Sequence, residues 1–389
     1  MKARLQNWVR RIGFYLAIFG PGLITASADN DAPGIATYSM AGSTYGYRFL
    51  WLIVLVTVGE ITIQEIAARM GTVTGKGAAD LIREQFGVRV TAFAMLCLLL
   101  ANLGTTVAQF AGVAAGMELL GVTRYVAVPL AAMGVGYVVA AFVVNPSWGD
   151  VLRNAVVPSF ETDPNYLLTV LATIGTTITP WAFVYMQASV ADRGATTEDY
   201  RYTRVDVVGG AAWGNVVSAF IVIVSAATLY THGVRVESAE QAALALEPLV
   251  GPWARHLFST GLLGASLLAA SVLPLSTTYA VCEAFGWERG LDHRTKDAPV
   301  FYGLYGGIII FSMLVVLIPG LPLFPLMWLS QSLNAILLPV LLILVIKIAN
   351  DSRVMKEWTN SRFQNALAWG LTALIGLAVL VLLISPFLV

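Results

Sequence analysis

Charge is scarce in this sequence. Charged residues make up only 12% of the 389 positions, and 23 acidic side chains balance 23 basic ones. Because 57% of the residues are hydrophobic and the mean hydropathy is +0.75, the composition excludes a large soluble domain and is typical of a protein that crosses a membrane many times. The zero net charge argues against a polyanion-binding surface, so we expect the lipid bilayer as a partner and no nucleic acid.

Cysteine is also scarce. The two cysteines, Cys97 and Cys282, lie in separate apolar stretches, which excludes a disulfide framework and a thiolate metal cluster and indicates buried packing residues. The sequence also lacks a P-loop and a nucleophile elbow. We therefore predict no enzymatic activity, no catalytic residue and no resident cofactor.

Long apolar segments fill most of the chain, and they predict an all-α, polytopic membrane protein. The first segment has no small-residue cleavage site behind it, and basic residues such as Arg10 and Arg11 precede it. We therefore expect a multi-pass protein of the cell membrane with a cytoplasmic N-terminus. The ten segments are 12–45, 49–70, 91–121, 125–144, 167–187, 207–230, 257–284, 299–319, 324–349 and 366–387.

The basic residues are unevenly distributed. Eighteen of the 23 Lys and Arg residues lie before residue 12 or in the regions 69–89, 188–206, 285–297 and 347–362. If cytoplasmic flanks collect positive charge, 69–89 and 188–206 lie on the same side and an even number of crossings separates them. Three apolar segments lie between them. We therefore predict that 125–144 is a shortened or distorted helix, and that one helix is missing between the third and the sixth helix.

A polar break interrupts the first apolar segment. Residues 29–34 read Asp29-Asn30-Asp31-Ala32-Pro33-Gly34. Inserting an acidic residue near the bilayer centre costs roughly 2.5–3.5 kcal/mol of free energy. Pro and Gly also remove backbone hydrogen bonds there, so another interaction must compensate for both effects. An unwound helix that exposes carbonyl oxygens beside a carboxylate can hold a cation, as it does in secondary transporters. A proline kink with capping aspartates is the simpler alternative.

A second break lies at residues 173–181, which read Thr-Ile-Gly-Thr-Thr-Ile-Thr-Pro-Trp. Two broken segments in corresponding positions are typical of an inverted-repeat transporter with its site between the breaks. We assign the first repeat, which is incomplete, to 12–144, the second to 167–349 and a last helix to 366–387, all within one transporter domain, 1–389.

Further polar side chains fall within the apolar segments. Glu60 and Gln64 share one helical face, and we expect Glu60 to face the same cavity as Asp31. Glu65 precedes Arg69 by four residues, which predicts an ion pair. Hydrogen bonds between helices are a sufficient explanation for a polar stripe in the third segment, Asn102, Thr105, Thr106 and Gln109. Neutral oxygen donors suited to a hard cation or its water shell come from Ser330, Gln331 and Asn334.

Together these motifs resemble the Nramp (natural-resistance-associated macrophage protein) family of divalent-metal transporters, and more closely its magnesium-transporting branch. Gly20-Pro21-Gly22 followed by Asp31 is similar to the family's Gly-Pro-Gly and Asp-Pro-Gly-Asn signature. The stretch from Gln64 to Lys76 resembles the family's second helix and the loop after it. The resemblance implies a leucine-transporter-type fold with inverted repeats, and alternating-access transport of a divalent metal ion, Mg²⁺ or Mn²⁺. We expect a monomer.

The resemblance also implies a set of ligands. The family's metal-binding aspartate falls on Asp31, whereas its asparagine falls on Gly34. The expected metal ligands are Asp31, Ala32, Gly34, Thr176, Thr179 and Gln331. The residues expected to line the cavity or to bind the hydration shell are Asp29, Asn30, Glu60, Gln64 and Asn334.

Two departures from the family pattern bear on selectivity and coupling. Thr179-Pro180-Trp181 replaces the family's Met-Pro-His, so the soft thioether is gone and a hard ion such as Mg²⁺ is favoured. Titratable positions of the family fall on Thr106, Gln109 and Met186, and we expect the three histidines to lie in loops, at His232, His256 and His293. We therefore predict uptake driven by the membrane potential without proton coupling.

Other functions remain open at this point. They are a proton-coupled Mn²⁺ or Fe²⁺ transporter, a sodium-coupled small-solute carrier, a transport-impaired relative and an intramembrane aspartyl hydrolase. The hydrolase needs two carboxylates opposed across a water molecule, whereas Asp29 and Asp31 lie two residues apart on one segment. The central acids, together with Glu60, favour a cation over an organic solute.

Overall fold

The computed structural model describes Gly22, Thr25 and residues 30–120, 147–161, 164–289 and 294–384. Within these residues every regular element is a helix. The predicted short helix at 125–144, and with it the predicted missing helix, lies outside the described residues, and so does Asp29.

Fourteen α-helices occur in the described ranges, and short 3-10 turns join several of them. In chain order they are α1 Ala32–Tyr45, α2 Leu50–Thr74, α3 Ala78–Leu120, α4 Trp148–Val156, α5 Pro164–Thr177, α6 Pro180–Asp192, α7 Tyr200–Thr228, α8 Ala239–Leu244, α9 Glu247–Val250, α10 Ala254–Phe285, α11 Pro299–Val316, α12 Leu323–Ala349, α13 Ser352–Met355 and α14 Arg362–Ile384.

Eight stretches of the described chain are long and apolar enough to cross a membrane, and they contain, wholly or in part, nine of the ten predicted segments. The first stretch is 43 residues long and includes both α1 and α2, which Gly46 separates with φ 61° and ψ −146°. The stretches are Ala32–Thr74, Ala78–Gly116, Asn165–Asp192, Tyr200–His232, Gly251–Phe285, Pro299–Val316, Leu323–Ala349 and Arg362–Ile384.

The predicted loop at 69–89 is largely helical. α2 continues to Thr74 and ends at Gly75, whose left-handed backbone (φ 63°, ψ 21°) stops the helix. α3 then begins at Ala78, but the backbone of Gly87 is not helical (φ 75°, ψ 172°). A short helix therefore precedes a kink, and the long apolar part of α3 follows the kink, close to the predicted start of the third segment at residue 91. The first turns of α3 are amphipathic, and Leu81 and Ile82 are buried on one side. Burial of this side stabilises the helix. Charged residues on the other side lower the mean hydropathy, so a hydropathy profile does not detect the helix.

Two histidines also lie closer to the spans than we expected. His256 lies in the first turn of α10, because that helix starts at Ala254 rather than at residue 257. His232 ends the 3-10 turn after α7. Both side chains are exposed, so neither places a titratable imidazole inside the helix packing. His293 lies outside the described residues.

The helices pack in two groups. In the first group α2 packs against α6 and α7, and α1 packs along α7. In the second group α3 packs along α10 and α12, with α11 outside them. The second broken segment is divided between these groups, since α5 lies along α12 whereas α6 lies along α2.

Glycines allow the closest helix contacts. A Cβ at Gly175 of α5 would stand 2.8 Å from the backbone nitrogen of Ala335 and 3.0 Å from the carbonyl carbon of Gln331, so α5 and α12 touch backbone to backbone. On α3, a Cβ at Gly112 would overlap Ala32. Such small-residue contacts are the usual way for membrane helices to approach one another.

The predicted ion pair between Glu65 and Arg69 is confirmed. The Arg69 Nε and Glu65 Oε1 atoms lie 3.1 Å apart, and both side chains are about 5% exposed. Tyr200 of α7 and Gln364 of α14 donate hydrogen bonds to the carboxylate. The Arg69 guanidinium donates to the carbonyl oxygen of Trp358 at 2.6 Å, so this pair joins α2 to the segment between α12 and α14.

We expect Gly175→Ala to destabilise the protein, because the new methyl group must displace the backbone of α12. Overpacking of this kind costs roughly 1–3 kcal/mol, which a lower thermal unfolding midpoint in detergent should report. Gly370→Ala on α14 is the matched control, since open space surrounds that glycine. Equal midpoints for the two variants would contradict the backbone contact.

Candidate functional site

Asp31 forms the end of the first interruption. Its backbone is extended (φ −87°, ψ 177°), and α1 begins directly after it with Pro33 in the first turn. The Asp31 Oδ1 atom accepts a hydrogen bond of 2.8 Å from the backbone N–H of Gly34, so Asp31 is the N-cap of α1. The side chain is only 3% exposed. The simpler capping interpretation is thus correct for one carboxylate oxygen and leaves the other to be explained.

The second carboxylate oxygen faces α3. Asp31 Oδ2 accepts a hydrogen bond from Nε2 of Gln109, and the Cα of Gly112, one turn further along α3, lies against Ala32. This contact confirms the hydrogen bonding between helices that we predicted for the polar stripe of α3, although Gln109 was not among the expected site residues. Its spacing of seven residues from Asn102 and four from Thr105 could have identified one continuous face of α3.

The second interruption lies between α5 and α6. α5 ends at Thr177, Thr179 is extended (φ −78°, ψ 137°), and α6 starts at Pro180. Thr176 and Thr179 are both almost fully buried, at 1% and 3% exposed. The Tyr38 hydroxyl of α1 and the Thr177 hydroxyl lie 2.8 Å apart in a hydrogen bond. The two predicted breaks are therefore linked directly through α1 and the end of α5.

Amides of α12 connect this point to α3. Asn334 donates from Nδ2 to the Thr105 hydroxyl of α3 and to Oε1 of Gln331, both at 2.9 Å. It also lies at the 3.5 Å limit from the Gly175 carbonyl oxygen of α5. Gln331 in turn donates to the Ser330 hydroxyl at 2.9 Å. Gln331 and Asn334, which we predicted in the site, thus lie between α3 and the second interruption.

Two amide oxygens in this group have no hydrogen-bond donor. They are Oε1 of Gln109 and Oδ1 of Asn334, and both atoms are fully buried. A buried acceptor without a donor costs about 1–3 kcal/mol. The side chains that carry these oxygens bond Asp31 and Thr105, and Thr105 lies one turn before Gln109 on α3. Oxygen lone pairs near a buried carboxylate can serve as cation ligands, and the amide oxygens of Gln64 and Asn215 beside Glu60 are donor-free in the same way.

Ala32 and Gly34 lie inside the first turn of α1 rather than in the unwound segment. Helix carbonyls point toward the C-terminal end, so the carbonyl oxygens of these two residues point away from the interruption. Gly34 instead presents its N–H to Asp31. The carbonyl oxygen of Thr176, by contrast, points toward the second interruption, because Thr176 lies in the last turn of α5.

Glu60 of α2 faces α7. Its carboxylate accepts a 2.7 Å hydrogen bond from Gln64 and another from Nδ2 of Asn215 on α7. Asn30, half-buried, contacts the carbonyl oxygen of Gly214 and the Ser218 hydroxyl of the same helix, each at 3.5 Å. The described partners of Glu60 therefore lie on α2 and α7, whereas those of Asp31 lie on α1 and α3. α7 passes both Glu60 and the residue before Asp31, because Gly214, which contacts Asn30, directly precedes Asn215, which contacts Glu60.

Two further buried acids were missed, Asp206 of α7 and Glu283 of α10. Asp206 of α7 is 1% exposed, and its Oδ2 accepts the backbone N–H of Gly22 at 2.8 Å. It stands one residue before the predicted segment 207–230, where a hydropathy pattern assigns it to the flank. Within the described part of the chain, no group of three or more His, Cys, Asp or Glu side chains gathers as a metal cluster. Among the described residues, Asp31 thus stands as a single carboxylate among neutral oxygens.

Comparison with known proteins identifies the family. A sequence profile described as natural resistance-associated macrophage protein-like (Nramp) matches residues 22–135 and 122–385. This chain belongs to the Nramp family. The two matched ranges overlap at 122–135, inside the stretch where we predict the short helix.

Nramp relatives match along nearly their whole length. The divalent metal cation transporter MntH of Bacillus subtilis is 25% identical over 418 residues, covering 98% of this chain and 95% of its own. The crystal structure of the Eremococcus coleocola manganese transporter superposes with a TM-score of 0.76 at 19% identity, over 94% of this chain and 86% of that one. These relatives are transporters, not enzymes.

The fold prediction is also confirmed. MhsT, in its complex with L-phenylalanine, has a TM-score of 0.55 at 15% identity, over 91% of this chain and 98% of its own. With the manganese transporter, it establishes the all-helical, leucine-transporter-type membrane fold for this Nramp protein.

Proposed function

We propose that this Nramp protein moves a divalent cation across the membrane by alternating access, and that Asp31 is the charged ligand. The observation that carries the proposal is the buried carboxylate at a helix interruption, with two donor-free amide oxygens beside its partners on α3 and α12. The similarity to a divalent metal cation transporter and to a manganese transporter supports the same conclusion.

The proposed ion position lies between the two interruptions. Asp31 supplies a negative charge, and the last turn of α5 directs carbonyl oxygens, including that of Thr176, toward the gap. Thr179, Gln331 and Asn334 add neutral oxygens, directly or through water. Because of the carbonyl directions in α1, the proposed set uses Asp31 itself rather than the carbonyls of Ala32 and Gly34.

The proposed substrate is a hard cation, with Mg²⁺ preferred. Oxygen donors suit hard ions, and Mg²⁺ keeps several waters when it binds through one or two carboxylates. A site with one carboxylate and several neutral oxygens has this character. Mn²⁺ is the second candidate, favoured by the structural neighbour that transports manganese.

The proposed driving force is the membrane potential. Gln109, at a position where the family has a titratable group, is neutral and bonded to Asp31, and Thr106 bonds the carbonyl of Asn102 at 2.7 Å. A potential of 100 mV, negative inside, contributes about 4.6 kcal/mol to the entry of a divalent ion, at about 2.3 kcal/mol per charge. The metal ion can therefore accumulate inside without the coupled movement of a second ion.

Asp31→Asn tests the charged ligand. Asparagine keeps an oxygen that can cap α1, so the variant separates the charge from the capping role, which Asp31→Ala would remove as well. Metal uptake into proteoliposomes should fall at least about tenfold, since a charge-assisted ligand contributes more than about 1.4 kcal/mol. The unfolding midpoint should stay close to that of the wild type. Uptake at the wild-type rate would remove Asp31 from the site.

Thr179→Met tests ion selectivity at the second interruption. A thioether at this position should raise affinity for softer ions, and we expect the Mg²⁺ to Cd²⁺ preference to fall roughly tenfold in a competition series. Thr177→Met, at the neighbouring hydroxyl that bonds Tyr38, is the control for added bulk. An unchanged preference in Thr179→Met would show that this side chain does not set selectivity.

Proton coupling can be tested in vesicles that contain a pH-sensitive dye. With a potassium-diffusion potential, metal should enter without a change of internal pH, because the described site offers no titratable relay besides the metal-binding carboxylate. Asp31→Asn vesicles give the background leak. A proton flux that accompanies the metal in a fixed ratio would establish the proton-coupled alternative instead.

A further inference from the structure

An apolar groove lies between α5 and α14, away from the interruptions. Its volume is about 470 Å³, within the range of roughly 300–1,000 Å³ that is usual for small-ligand sites. The start of α2 contributes Trp51 and Leu52 to it, and the two longer walls come from one face of α5 and one face of α14. All lining side chains but one are apolar or aromatic, the exception being Glu161 at the rim.

The groove opens on the outer surface of the helix bundle. Leu374, Leu377 and Val381 of α14 are 42%, 61% and 47% exposed, although they lie in the middle of a membrane-crossing stretch. In the bilayer such a surface faces hydrocarbon. Its apolar walls offer a water-soluble ligand few polar partners, whereas lipid tails lie against such a surface.

Aromatic and polar residues mark where the groove meets the membrane surface. The Trp51 indole and the Tyr166 hydroxyl both donate to the carbonyl oxygen of Ser159, at 3.1 and 2.6 Å. The Trp51 and Phe160 rings are 5.1 Å apart. Arg48 and Glu161 form an ion pair of 2.8 Å beside them. Trp and Tyr with a charged pair are typical of the interfacial layer of a bilayer.

The short helix α4 lies at the same level. Leu152 and Val156 share one face of it and are 67% and 79% exposed, while Arg153 and Asn154 lie on the other side. A short helix with one exposed apolar face and one polar face lies along a membrane surface. Its position next to Ser159 supports the placement of the interface at this end of the groove.

The depth of the groove matches a single lipid tail. From Tyr166 to Ile174 on α5, and from Leu382 to Leu374 on α14, the walls are eight residues long, which is about 12 Å at 1.5 Å rise per residue. One leaflet of the hydrocarbon core is about 15 Å thick, half of about 30 Å. We infer that this groove binds one acyl chain of a membrane phospholipid, with the headgroup at the Arg48–Glu161 end.

The headgroup end and the inner end differ in chemistry. Arg48 and Glu161 are both partly exposed, and they offer a positive and a negative partner to the phosphate and the amine of a zwitterionic headgroup. The inner end reaches Ile174, which precedes the backbone contact of Gly175 with α12. The bound tail therefore lies against the helix that leads to the second interruption.

The test is photo-crosslinking in vesicles of phosphatidylethanolamine and phosphatidylglycerol that contain a trace of phosphatidylethanolamine with a diazirine in one acyl chain. Ala378→Phe fills the groove from α14, and Ala373→Phe adds the same ring to an exposed position on the same helix. Peptide mapping of the wild type and of Ala373→Phe should place crosslinks on the groove faces of α5 and α14. The yield there should fall at least fivefold in Ala378→Phe.

Native mass spectrometry of the detergent-purified protein provides an independent measure. One phospholipid should remain bound to the wild type and to Ala373→Phe, and it should be lost from Ala378→Phe. Val170→Phe fills the groove from α5 and decides the question if Ala378→Phe does not fold. Crosslinks spread evenly around α14, or equal lipid retention in the groove-filling and control variants, would overturn the inference.

Discussion

The centre of this protein depends on the hydrogen bonds that the Asp31 carboxylate accepts from two helices. One oxygen caps α1 through the N–H of Gly34, and the other accepts from Gln109 of α3. α1 and α3 belong to different packing groups, so a single buried acid joins the two at the point where the first broken segment ends. Burying a charged carboxylate in a membrane is unfavourable in free energy. The N-terminus of α1 and the amide of Gln109 reduce that free-energy cost before any ion is bound.

Small residues and side-chain amides also hold the helices together around Asp31. Gly112 allows Ala32 to rest on α3, and Gly175 allows α5 to rest on α12. With the backbones this close, short side chains such as those of Thr105 and Asn334 can hydrogen-bond across the gap at 2.9 Å. The polar groups at the centre are thus held by four helices, α1, α3, α5 and α12, which keeps their oxygens in place.

Much of the fold could be predicted from the sequence, because long apolar segments and paired breaks are strong local signals. Asp31, Thr179 and Gln331 were proposed as site residues for the same reason, since polar or helix-breaking residues are conspicuous in apolar spans, and their role as ligands stays a prediction. Gln109 was not assigned to the site, because no local pattern distinguishes an amide that contacts another helix from one that contacts a ligand. Asp206 and the early start of α3 were missed because charged neighbours mask burial in a hydropathy profile.

The directions in which backbone carbonyl groups and helix faces point could not be predicted from the sequence either. Gly34 corresponds to the family's asparagine, yet its position in the first turn of α1 turns its carbonyl away from the gap. Glu60 shares a helical face with Gln64 as predicted, and the partner on α7 decides which way that face points. Such outcomes depend on helix rotation, and rotation is set by contacts with neighbouring helices.

The division of the second broken segment between the packing groups has a mechanical consequence. α5 is fixed to α12 by the Gly175 contact, while α6 packs with α2. If the groups rotate relative to each other, Ile178 and Thr179 form the hinge that takes up the angle. The oxygens around an ion at this hinge then separate in the same movement that opens the path. If the proposed ion site lies at this hinge, release needs no gate of its own, because the proposed ligands and the pivot are the same few residues.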